Sequence, residues 1–114
     1  MKDAFYDQLH INKKDAMKRF FNNEPLYLDM LKLFQDDPSF SQLEEALAAG
    51  DIQNAFMAAH TLKGVAANLS LSKLFELDFA LVEDLRSGAF DAAQKRFPEV
   101  KKEYQIIIDG ILHI

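Results

Sequence analysis

Apolar side chains recur along most of this chain at steps of three and four, the spacing that gathers them on one face of an α-helix. Leu28, Leu31 and Phe34, then Leu43 and Leu47 beyond Pro38, mark one such face and predict a helix over residues 25–49. Glu24-Pro25 opens it, with Pro at an early helical position where its missing N–H does no harm. Asp36-Asp37-Pro38 predicts a bend or brief break, since Pro cannot donate to the preceding turn. Ser41-Gln42-Leu43-Glu44 reads as a capping box that restarts the helix. Gly50 ends the segment, and Asp51 is a good N-cap for the next.

Over residues 52–69 the stripe is Ile52, Phe56, Ala59, Leu62, Ala66 and Leu69. Ser70 is expected to cap a helix over 71–87, where Leu74, Leu77, Leu81 and Leu85 form the stripe and Phe75, Phe79 and Val82 widen it. Gly88 closes that helix. Along 90–112 the inward positions are Phe90, Ala93, Phe97, Val100, Tyr104, Ile107 and Ile111, with a kink or one-turn restart expected at Pro98. Two short helical pieces precede all of this, over 2–10 and, capped by Asn12, over 13–22. Long amphipathic segments joined by very short turns predict an all-α fold, an antiparallel up-and-down four-helix bundle with short N-terminal helical segments. No repeat, linker or second domain interrupts the pattern, so residues 1–114 read as one domain.

Composition narrows the function. The 114 residues are 49% apolar and 27% charged, a globular balance that excludes disorder. A net charge of −5 at pH 7 argues against a nucleic-acid partner. With no Cys, disulfides, thiolate catalysis and Cys-based zinc sites are all excluded. The N-terminus lacks the apolar run of a signal peptide, and no stretch approaches the ~18 apolar residues of a membrane span. The expected location is the cytoplasm, with no membrane partner.

A bundle is a scaffold, so function has to be argued from a site. Di-iron bundles need Glu-x-x-His pairs on facing helices; Asp7, Met57 and Gly110 stand three residues before His10, His60 and His113. No metal or other cofactor is expected. The glycines at 50, 64, 88 and 110 make no phosphate loop, so ATP binding is not expected either. His10 lies outside the bundle pattern and is expected to be solvated; His113 is expected to cap the last carbonyls of the final helix or to be disordered.

His60 is different. It lies roughly 110–130° from the centre of its helix's apolar stripe, on the flank with Gln53, Met57, Gly64 and Ala67. Gly64, one turn along, leaves no side chain beside the imidazole, and Lys63 is within reach at i+3. Alone, His60 would be a solvated surface residue, Lys63 an ordinary charge and Gly64 a packing residue. Together, a neutral imidazole with a free ring nitrogen, a neighbouring cation and cleared space suit a nucleophile for a phosphoryl group.

His60-Thr61-Leu62-Lys63-Gly64-Val65-Ala66-Ala67-Asn68-Leu69 resembles the signature of histidine-containing phosphotransfer (HPt) domains, His-x-Leu-Lys-Gly followed by small residues. Phe20-Phe21-Asn22-Asn23-Glu24-Pro25-Leu26-Tyr27 is similar to the family's approach to its first long helix, and Leu43 to Asp51 to its second segment and turn. The resemblance runs from about Asn12 to Ile111. It implies a phosphorelay module that accepts a phosphoryl group from the aspartate of a response-regulator receiver domain and returns it to another receiver. It also implies a hybrid sensor histidine kinase upstream. By position, His60 is then the phosphoacceptor, Lys63 the phosphate-stabilising cation and Gly64 the clearance residue. Gln53, Met57, Gly64 and Ala67 would form the docking surface, any Mg²⁺ belonging to the receiver. Ser70 stands where members usually have Gly, Ala67 where many have Gly or Ser, and Val82 where some place a Gln or Glu that reaches the His ring. Such a module is expected to act as a monomer and not as an enzyme; the alternative is a bundle that binds receivers without being phosphorylated.

Overall fold

The computed structural model describes residues 1–114 and contains seven α-helices and one 3₁₀ turn. Two short helices, α1 (Asp3–Gln8) and α2 (Lys13–Arg19), precede α3 (Glu24–Leu33). The 3₁₀ turn Phe34–Asp36 links α3 to α4 (Ser39–Ala48), followed by α5 (Ile52–Asn68), α6 (Ser72–Arg86) and α7 (Phe90–Ile111). Helix α5 packs against both α4 and α6, and α6 against α7. Helix α7 returns to α4, where the Phe40 and Tyr104 rings stack with centres 3.9 Å apart and Lys101 pairs with Glu44 at 2.7 Å. This is an antiparallel up-and-down four-helix bundle, with α3 and α4 sharing the role of its first member. No helix is long and apolar enough to cross a membrane.

The segment over 25–49 is therefore two helices rather than one bent one, and the restart is not where the capping box would put it. Asp37 is extended (ψ 124°), as the residue before a proline prefers. Its carboxylate accepts from the Ser39 N–H at 2.9 Å and from the Ser39 hydroxyl, so α4 starts at Ser39. The Ser41 hydroxyl donates instead to the Pro38 carbonyl, at 3.0 Å. Asn12 and Asp51 do cap α2 and α5, accepting from the N–H groups of Asp15 (3.0 Å) and Asn54 (3.1 Å). Pro98 lies inside α7, which runs through it without a restart. It sits on the exposed side, where water can replace the one backbone bond it removes.

The turns share one device. At the ends of α1, α4, α5 and α6 a residue enters the left-handed region: His10 (φ 55°), Gly50 (69°), Ser70 (57°) and Gly88 (80°). The following N–H then closes back on the helix, Ile11 to Tyr6, Asp51 to Ala46 and Leu71 to Ala66 at 2.9 Å, Ala89 to Asp84 at 2.8 Å. Glycine takes that conformation freely, whereas His10 and Ser70 each incur roughly 1–2 kcal/mol. Side-chain bonds offset it: the Ser70 hydroxyl donates to Asp15 at 2.6 Å, and His10 Nδ1 lies 2.8 Å from Glu103. Ser70 thus ends α5 and does not cap α6; Leu71 occupies that position. His10, expected to be solvated, is half-buried against a carboxylate that is only 2% exposed. Beside these turns Asn12 N–H bonds the Ser70 carbonyl (3.0 Å) and Ser72 N–H the His10 carbonyl (3.2 Å). Those bonds fasten the N-terminal segment to the α5–α6 turn.

Candidate functional site

Helix α5 buries Ala55, Ala58, Ala59, Leu62 and Ala66 and presents the opposite edge to solvent. Gln53, Met57, His60 and Gly64 lie exposed along that edge, with Met57 59% exposed. Ala67 continues the line half-buried and borders a hollow shared with Asp15 and Arg19 of α2 and Phe75 and Glu76 of α6. Met57 borders a second hollow with Gln42, Glu45 and Ala46 of α4. Neither α2 nor α4 was implicated by spacing in the sequence, because these neighbours meet only after the helices pack.

Around His60 the side chains are spread to leave the ring open. The imidazole sits 5.9 Å from the Phe56 ring, tilted by 45°, and Arg86 of α6 lies 5.1 Å over the other ring's centre. Side-chain hydrogen bonds on α5 run between Asn54 and Asp51 and from Thr61 to the Met57 carbonyl, and the imidazole makes none. Val82 of α6 is fully buried. A β-carbon added at Gly64 would meet no atom within 4 Å. Packing does not demand glycine there; it does at Gly110, where a β-carbon would collide with the Leu9 side chain. His113 sits at the C-terminal carbonyls, its Nδ1 2.8 Å from the Asp109 oxygen.

Lys63 is half-buried between α5 and α6, its Nζ 5.1 Å over the ring of Phe79. Phe79, expected to widen the buried stripe of its helix, is instead 45% exposed and forms a platform for the ammonium, an attraction of the ring's negative face for a cation.

Asp78 is the residue of this region that sequence reasoning missed. It is completely buried, and neither carboxyl oxygen has a hydrogen-bond partner. Burial pushes its pKa up to about 8, with the Lys63 ammonium pulling the other way. The signal was present: Leu74, Asp78, Leu81 and Leu85 stand at heptad-like steps, so an acid fills a seam position. Glu103 does the same between Val100 and Ile107, but His10 satisfies it. Nowhere do three His, Cys, Asp or Glu side chains gather as they would around a metal ion.

Compared with protein families, residues 29–110 match the one described as Hpt domain, from within α3 to within α7. Neither a curated protein nor a solved structure matches the chain.

Proposed function

The chain belongs to the Hpt domain family, the histidine phosphotransfer modules of phosphorelays, and from that premise we propose that His60 carries the phosphoryl group. A receiver domain bearing an aspartyl phosphate docks over Gln53, Met57, Gly64 and Ala67. The unprotonated ring nitrogen attacks phosphorus in line; an N–P bond forms as the acyl P–O bond breaks, and the aspartate carboxylate leaves with the electron pair. The other ring nitrogen keeps its proton. Lys63 stabilises the charge on the phosphoryl oxygens, and the reverse reaction passes the group to a second receiver, with a hybrid sensor histidine kinase upstream. On this reading the chain is a cytoplasmic, monomeric phosphoprotein and not an enzyme, since it is itself consumed and regenerated.

The observation that carries the reading is the open imidazole with the half-buried Lys63 three residues on and an unobstructed Gly64 four residues on. Incubation with a labelled receiver should place acid-labile, base-stable phosphate on the protein. Stable receiver binding without any label would favour the unphosphorylated interaction module instead.

Lys63→Ala should slow the transfer about 10- to 100-fold without abolishing it, because the cation helps the transition state but is not the nucleophile. An unchanged rate in rapid-quench assays would demote Lys63 to a surface charge. Gly64→Gln should leave the thermal midpoint equal or higher, since helix propensity rises by up to ~1 kcal/mol and nothing obstructs a β-carbon at this exposed position. Transfer from the receiver should drop sharply, while labelling by a small phosphodonor, which needs no docking surface, drops less. If both fall equally, Gly64 is not there for partner access.

A further inference from the structure

We propose that Asp78 is a positioning residue for Lys63: as an anion it draws the ammonium against α6, and as a neutral acid it leaves the ammonium free for the phosphoryl group on His60. The inference rests on the reading of His60 as phosphoacceptor. Two observations lead to it. Asp78 is a fully buried carboxyl with two unpartnered oxygens, an arrangement that gains greatly from any cation within reach. Its neighbour Phe79 is the platform on which the Lys63 ammonium lies. Lys63, from α5, is the cation that bears on Asp78; on α6 and α7, Arg86 pairs with Glu83, Arg96 with Asp84 and Glu103 with His10.

The consequence is a proton-linked site. Below about pH 8 burial keeps the carboxyl neutral. Lys63 is then held only by the Phe79 ring, a contact worth roughly 0.5–2 kcal/mol, and a doubly charged phosphoryl group competes with it easily. Above that pH the buried carboxylate competes for the same ammonium, and drawing Lys63 away requires the carboxyl to take up a proton from solvent. At the position where the family resemblance would place a Gln or Glu reaching His60, this chain has the buried Val82. The acid of this helix lies one turn earlier and acts on the lysine.

The test compares receiver-to-His60 transfer for wild type and Asp78→Asn between pH 6.5 and 9.5, with circular dichroism confirming that both stay folded. The two rates should agree at pH 7. At pH 9 wild type should be slower by about tenfold, the factor set by the neutral fraction one unit above 8. Because Asp78 acts through Lys63, the same Asp78→Asn change in a Lys63→Met background should make no difference at any pH; a merely structural role would persist there. Separately, the Asp78 carboxyl carbon followed by NMR should titrate at higher pH in Lys63→Met, which has lost the opposing cation. Parallel pH–rate profiles, or an unmoved Asp78 titration, overturn the inference while leaving His60 as acceptor. Absence of label on wild type overturns the reading beneath it, and the NMR titration still reports on the Asp78–Lys63 pair.

Discussion

His60→Gln is expected to take up no phosphate from a labelled receiver while folding as the wild type does. The glutamine amide nitrogen has its lone pair delocalised into the carbonyl and cannot attack phosphorus, whereas its length and polarity suit an exposed helix position. His60 is exposed and takes part in no hydrogen bond on α5. The change in stability should therefore stay within about 0.5 kcal/mol, as for most surface substitutions. The measurement is label surviving base but not acid, beside a thermal melt of the same sample. The other histidines are poor substitutes: His10 Nδ1 is held by Glu103 and His113 Nδ1 by the Asp109 carbonyl. Label persisting at the wild-type level would remove His60 from the reaction.

Asp78→Asn should be as stable as wild type in acid and far more stable in mild alkali. The sign follows from linkage. Asp78 has its carboxyl raised from the ordinary 3.8 to about 8, so the folded chain binds this proton more tightly than the unfolded one. Its favourable contribution is complete below about pH 4, falls as pH rises toward 8, and is gone above it. At about 1.4 kcal/mol per unit, the loss across that window is on the order of 5 kcal/mol as an upper bound, since the unpartnered carboxylate draws on Lys63 and on local relaxation. Asparagine keeps the shape and never ionises, so that slope vanishes. Urea denaturation at pH 4 and pH 8.5 should give nearly equal stabilities for the two proteins at the lower pH and a gap of several kcal/mol at the higher. Parallel stability curves would mean that the carboxyl is not the group being strained by alkali.

These two residues lie at opposite ends of what a sequence can reveal. Exposure of His60 followed from its angle to the apolar stripe, a property of one helix and its own residues. So did the caps by Asn12 and Asp51 and the left-handed turns at Gly50 and Gly88, because each depends on atoms a few positions apart. The bundle itself followed for the same reason: a 3.6-residue period must bury its apolar face, and very short turns make consecutive helices neighbours.

Contacts between distant segments were not legible in that way. Ser70 read as a cap because its propensity is local, but its hydroxyl found Asp15 from another helix, and the turn took the left-handed form instead. His10 read as solvated because Glu103, ninety-three positions away, supplies its partner. Phe79 read as core until packing left it exposed under Lys63. Asp78 and Glu103 occupy equivalent seam positions, and no local pattern distinguishes them; the fold brings a histidine to one and no partner to the other. Local periodicity thus determined the helices, the bundle and the exposed edge of α5 that carries His60. Which buried acid is satisfied, His10 having come to Glu103, and which is left without a partner, as Asp78 is, was decided by the tertiary structure, because charge and hydrogen bonding act through space and not along the chain.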